Sequence, residues 1–177
     1  MTMRNRSLVL VFLAAALSVV AVPSAGAHGG PPRVELHVNN EQTGLGSWSY
    51  SWSSGAGRGS CSSLVADGIP NYEPDTKVDS LHARPRIYFL RDQRPRVQSF
   101  RAYSELDENG WTTGPAERIR ARLSRVRQDG EVVAWKLRFR TEVVDERYFD
   151  LDVSFEKLDR RCGDNGEASY AFGLERE

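Results

Sequence analysis

The sequence lacks the residue patterns on which most catalytic and metal sites are built. It contains two cysteines and three histidines, and no HExxH or GxSxG motif occurs. Zinc sites and nucleophile elbows need those residue types at fixed spacing. Basic and acidic residues balance at 24 each, so the chain also lacks the basic excess of a general nucleic-acid-binding protein. We therefore favour a non-enzymatic protein with no cofactor and no nucleic-acid partner.

Long apolar runs are also missing, with one exception at the start of the chain. Arg4 and Arg6 precede an apolar run from Leu8 to Val22, and small residues follow at 25–27. This order is typical of a cleaved signal peptide. The pattern predicts a signal peptide over residues 1–27, a single domain over residues 28–177 with no transmembrane segment, and a secreted, extracytoplasmic location.

Cysteine is scarce, and the spacing of the two residues excludes the CxxC motif of redox proteins. Cys61 and Cys162 are far apart in the sequence. Thiols of exported chains are usually oxidised, so we expect one disulfide between them. Closing so long a loop would stabilise the fold by roughly 4–5 kcal/mol in chain-entropy terms.

Strict alternation of apolar and polar residues is the strongest pattern present. It occurs in three runs, over residues 119–123, 133–139 and 149–155. Period 2 indicates strands with one face buried, and no comparable helical pattern is found. With the other short runs, the sequence predicts an all-β fold, a single antiparallel β-sandwich of about eight strands with immunoglobulin-like turn spacing.

The three runs suggest a meander whose first register follows from parity. A three-residue loop, Gln128–Gly130, would pair Arg127 with Glu131 and Leu123 with Trp135, so that apolar residues meet. A two-residue loop, Asp129–Gly130, would instead set Leu123 against Lys136 and lose the buried face. We expect the third run to lie beside the second. Its outward acids, which include Asp150 and Asp152, would then neutralise the outward arginines, and the arginines would lower the pKa values of these acids.

Arginine is abundant and clustered, which marks the candidate contact residues. One cluster flanks the predicted hairpin after residue 83, and the other faces outward from the central runs. The candidate anion-contact residues are Arg84, Arg86, Arg91, Arg94, Arg96, Arg118, Arg120, Arg138 and Arg140. Such runs are commonly solvated surface, but they also suit an anionic cell-wall polymer or another envelope protein as partner.

Two further hypotheses concern aromatic and histidine residues. Trp48, Tyr50 and Trp52 alternate with serines, which predicts three rings on one side of a strand. That side is either core or a sugar-stacking platform of a carbohydrate-binding module. If cleavage follows residue 27, His28 becomes the N-terminus, and its amine and imidazole could bind copper with a second histidine, His37 or His82.

The stretch from Gly46 to Trp52, followed by Cys61 and by the closing residues 168–172, resembles a group of exported β-sandwich proteins of Gram-positive bacteria. In that group an early Gly-Thr-Tyr-Cys-Trp-like motif carries one cysteine of a nearby pair, whereas Ser51 occupies that place here. The disulfide arrangement must therefore differ. The resemblance implies an extracytoplasmic, non-catalytic domain and supplies no active-site residues.

Overall fold

The structure is a computed structural model that describes residues 30–55, 61–72, 76–155 and 165–177. These residues form strands and no helix, so the all-β prediction is confirmed. The signal-peptide prediction, His28 and Cys162 lie outside the described residues, and with Cys162 the predicted disulfide does too. No helix long and apolar enough to span a membrane occurs in the described part of the chain.

The described residues form sixteen strands, so the predicted count of about eight was too low. Six of the sixteen are only two or three residues long, too short to leave an alternating pattern. The bounds are β1 Val34–Val38, β2 Glu41–Leu45, β3 Ser47–Gly55, β4 Cys61–Asp67, β5 Thr76–Val78, β6 His82–Ala83, β7 Arg86–Phe89, β8 Pro95–Tyr103, β9 Glu105–Leu106, β10 Thr112–Thr113, β11 Glu117–Arg118, β12 Ala121–Gln128, β13 Glu131–Phe139, β14 Thr141–Glu142, β15 Glu146–Phe155 and β16 Asn165–Arg176.

Two large sheets organise these strands. Sheet A has the order β12–β13–β7–β1–β2, and sheet B has the order β11–β8–β15–β16–β3–β4, with β5 added parallel to β16. All other pairings in the two sheets are antiparallel. Two-stranded ladders β9–β10 and β6–β14 complete the described part.

The core lies between the sheets, where aromatic rings from both inner faces interlock. Phe139 of sheet A lies 4.8 Å from Phe100 and 5.6 Å from Phe149 of sheet B, between ring centroids. Phe89 contacts Phe155 in the same way at 6.1 Å. Burying each such side chain stabilises the fold by about 1.5–3 kcal/mol before its entropy cost. The fold is therefore sandwich-like, with its larger cluster of buried hydrophobic residues between the two sheets.

The β12–β13 hairpin differs from its predicted register. Its loop has two residues, Asp129 and Gly130, both with positive φ (51° and 88°), as a type I′ turn requires. The three-residue loop was wrong. A bulge between Val126 and Arg127 restores parity, so that Leu123 pairs with Leu137 rather than with Trp135. Leu123 still faces the core, because the shift is two residues.

The predicted meander was also wrong beyond this hairpin. β15 lies between β8 and β16 in sheet B and does not pair with β13. The first run is split as well, because β11 pairs with β8 in sheet B whereas β12 belongs to sheet A. Ile119, between them, donates its N–H to the carbonyl of Phe100 at 2.9 Å. The chain therefore crosses from one sheet to the other at residues 119–120.

Candidate anion-binding groove

Three arginines stand side by side on the outer face of sheet A. Arg122 of β12 pairs with Arg138 of β13, and Arg138 pairs in turn with Arg86 of β7. Adjacent strands are about 4.8 Å apart, and like charges directly across a sheet destabilise it. The hydrophobic pattern on the inner face fixes this register, so the row of cations is a consequence of burying Ile87, Leu137 and their neighbours.

Further arginines extend this row into a groove. Arg84 lies two residues before β7 and Arg140 one residue after β13, while Arg118 ends β11 and Arg120 belongs to the segment that crosses between the sheets. An open cavity of about 890 Å³ is lined by all of these side chains. We call it the arginine groove; its arginines are Arg84, Arg86, Arg118, Arg120, Arg122, Arg138 and Arg140, all of them exposed.

Counter-charge is scarce in the arginine groove. Glu117 is the acidic residue among its lining side chains, and it accepts a hydrogen bond and ion pair from Arg147. Within the described residues, none of the seven groove arginines forms an ion pair. Arg118 pairs across strands with another cation, Arg101 of β8. The groove therefore has a concentrated positive potential that a bound anion would neutralise.

The structure thus joins two clusters that looked separate in the sequence. Six of the nine candidate residues line the arginine groove, and Arg94 and Arg96 line a neighbouring cleft between the sheets. Arg91 lies apart, partly buried with its guanidinium 5.1 Å from the Trp52 ring centre. Arg101 and Arg122 were missed as site residues. Alternation placed Arg122 outward, but only long-range strand pairing gives either residue its neighbours.

The outer face of sheet B is organised differently, around Asp150. Tyr72 donates its hydroxyl hydrogen to Oδ1 of Asp150, and Ser169 donates to Asp152 at 2.7 Å. Burial raises the pKa of Asp150 and outweighs the lowering by Tyr72 and Arg101. The expectation of a lowered pKa was wrong for Asp150, because burial outweighs its neighbour Arg101 and the predicted basic row lies in the other sheet. Burial and Asp150 also raise the pKa of Tyr72.

A small aromatic cluster surrounds this acid. The rings of Tyr72 and Tyr148 meet edge to face at 6.2 Å, and partly buried Trp48 packs beside them. Burial, and then a hydrogen bond to Glu146, raises the pKa of Tyr148 to about 12. Tyr72 and Tyr148 therefore remain neutral hydrogen-bond donors at physiological pH. This suits a structural role for the cluster, which holds Tyr72 against sheet B.

The aromatic strand does not present three rings on one face. Trp52 is 1 % exposed in the core, and Tyr50 packs against that core. A register shift where β3 pairs with β16 turns Trp48 to the opposite, outer face. The prediction of one shared side was wrong because a bulge reverses the alternation. A sugar-stacking role for Trp52 would require its ring to leave the core.

The described histidines are also separated by the fold. His37 lies on the outer face of sheet A, with its Nε2 3.3 Å from a Glu35 oxygen and its ring tilted against the Tyr88 ring at 4.4 Å between centroids. His82 is exposed in the β6–β14 ladder. Among the described residues no group of three potential ligands could hold a metal ion. Copper binding by His28 stays a prediction, since that residue lies outside the described ranges.

Comparison with known proteins returned no relative: no protein-family model, curated protein or solved structure matches the chain. The resemblance to exported β-sandwich proteins of Gram-positive bacteria accordingly stays an expectation from the sequence motifs.

Proposed function

We propose that this protein is a non-enzymatic binding domain of the cell envelope that holds an anionic polymer in the arginine groove. The observation that supports this proposal is the convergence of seven arginines from both sheets on one open cavity, without internal ion pairs among the described residues. Guanidinium groups bind phosphate and carboxylate oxygens in bidentate fashion, so the ligand class is a phosphate- or carboxylate-bearing chain.

A polymer suits the groove better than a single small anion. Arg122, Arg138 and Arg86 succeed one another at about 4.8 Å across the strands. One phosphate would neutralise one or two of these charges, and the remaining arginines would still repel one another. A chain with repeated charges would relieve the whole row, and linked contacts raise the overall affinity through effective concentration.

The location and finer fold form part of the same proposal. An apolar leader after two arginines supports export. We include in the proposal an immunoglobulin-like sandwich and a Cys61–Cys162 disulfide. A mass measurement with and without reductant would test the disulfide. A second envelope protein with an acidic surface is the other partner that the groove would accept.

Charge reversal at two positions in the row tests the binding site. We expect the double variant Arg86→Glu and Arg138→Glu to bind long-chain inorganic polyphosphate and purified Gram-positive cell walls more than about tenfold more weakly than the parent. The reason is that interactions between close charges contribute over about 1.4 kcal/mol to the binding free energy. Binding of the parent protein should weaken steeply with salt, because the polymer releases counter-ions.

A matched control removes the effect of net charge. The double variant Arg127→Glu and Arg176→Glu changes the charge equally at exposed positions outside the groove. It should keep most of the binding. Equal retention of polymer by both double variants, with native circular dichroism, would show that the groove is not the binding site.

A further inference from the structure

A second cavity lies where the two sheets separate, next to the arginine groove. Among the described strands, β12 is the outermost of sheet A, and β11 pairs only with Arg101 and Ala102 of β8, so most of β8 has no described partner strand on that side of sheet B. Between these edges lies an open cleft of about 1180 Å³. Its size is that of a ligand site. We call it the inter-sheet cleft.

The floor of the inter-sheet cleft is apolar. Phe100, Ile119 and Leu137 line it with side chains that also belong to the core. Val97 and Leu123, which line it as well, are only partly buried and pack against that core. An apolar ligand group in the cleft would remove the remaining exposed surface of these side chains from water, which is favourable.

The rim of the cleft is cationic. It is lined by Arg94, Arg96, Arg101, Arg118 and Arg120, and no acidic residue of the described ranges lines it. The cleft also shares the consecutive residues 118–121 with the arginine groove, so the two cavities adjoin. An apolar floor beside a rim of guanidinium groups has the polarity of a site for a molecule with an apolar chain and an anionic head.

We propose that the inter-sheet cleft binds an anionic amphiphile, a single-chain alkyl or prenyl phosphate, with its chain on the apolar floor and its head group between Arg118 and Arg120. An alkyl chain needs no hydrogen bonds along its length, which fits a floor made of core side chains. This ligand goes beyond a polymer in the groove, and the two share only residues 118–121. It would bring a lipid-linked anion and a polymer into adjoining sites.

The test uses dodecyl phosphate below its micelle concentration, with dodecanol and inorganic phosphate as half-ligands. In calorimetry we expect the parent protein to bind dodecyl phosphate at least about tenfold more tightly than either half-ligand, since chain and head both contribute. Ala116, which is exposed and lines the cleft but not the arginine groove, offers the blocking variant Ala116→Trp. That variant should lose dodecyl phosphate and keep polyphosphate.

A second variant guards against a folding defect in the first. Arg118→Gln with Arg120→Gln changes only exposed side chains and should reduce the preference for dodecyl phosphate over dodecanol. Unchanged dodecyl phosphate affinity in both variants would overturn the proposal, as would binding of an extended acidic peptide in its place. Loss of polyphosphate binding by the groove variants tests the other proposal, so each can fail alone.

Discussion

The outer faces of the two sheets differ in how they treat charge. On sheet B, Asp150 accepts a hydrogen bond from Tyr72, and Asp152 accepts one from Ser169. On the β7, β12 and β13 side of sheet A, Arg86, Arg122 and Arg138 stand together in register. Polar groups that are matched internally stabilise the fold, whereas a row of like charges destabilises it.

The same contrast occurs within sheet A. On β1, nearer the other edge of the sheet, Glu35 is 7 % exposed, forms an ion pair with Arg33 at 3.1 Å and hydrogen-bonds with His37 at 3.3 Å. The sheet can therefore accommodate charge with counter-charge. The concentration of cations at one end is a feature that the fold tolerates, and ligand binding is the benefit that we propose for it.

The largest predicted effect concerns the matched face. Tyr72→Phe removes the Tyr72 hydrogen bond to half-buried Asp150 and leaves it with Thr112 as a side-chain donor; losing one partner of a buried polar group costs about 1–3 kcal/mol. The free energy of unfolding should fall by that amount, which would appear as a lower urea midpoint with an unchanged m-value. Tyr103→Phe removes a hydroxyl from the same aromatic cluster without touching this bond and should change the midpoint little. Equal midpoints for Tyr72→Phe and the parent would refute a structural role for the bond.

Sequence alternation predicted which side chains face the core, because burial follows the two-residue period. Trp135, Leu137 and Phe139 are buried, as are Phe149 and its alternating neighbours. Even Leu123, in the wrong register, was assigned to the correct face. A two-residue shift keeps every side chain on the same face of its strand. The buried face is therefore predicted correctly even where the paired residues are not.

Strand partners and bulges could not be predicted in the same way. The bulge beside Arg127 and the shift at Trp48 each reverse an alternation locally, and nothing in the neighbouring residue types marks them. The pairing of Arg138 with Arg86 joins residues far apart in sequence. The arginine groove depends on that pairing and on the crossing at Ile119, so the sequence shows its members but not their assembly.

A smaller effect is expected on the pH dependence of the folding stability, to which Asp150 contributes. Burial raises the folded-state pKa above the unfolded value, so the folded state holds this proton more tightly. The stabilising contribution is complete below the unfolded pKa of about 4 and is lost as pH rises through the folded pKa. Asp150→Asn keeps an acceptor for Tyr72 but cannot ionise.

The stability of Asp150→Asn relative to the parent should therefore increase from about pH 4 upward, where the parent loses the contribution of its proton. Urea midpoints measured across the acid range provide the comparison, with Asp152→Asn as the control on the same strand. A relative stability that is independent of pH would show that Asp150 has the same affinity for its proton in both states.

The smallest effect tests the unmatched face. Arg138→Gln removes the middle cation of the row, so it should raise the free energy of unfolding by a fraction of a kcal/mol at low salt. Because the Debye length falls from about 10 Å at 0.1 M salt to about 3 Å at 1 M, the gain should vanish at high salt. Arg33→Gln breaks an ion pair on the same sheet and should have the opposite sign. If both variants lower stability equally at low salt, Arg138 has a stabilising partner, and the groove holds no excess of positive charge for a ligand to neutralise.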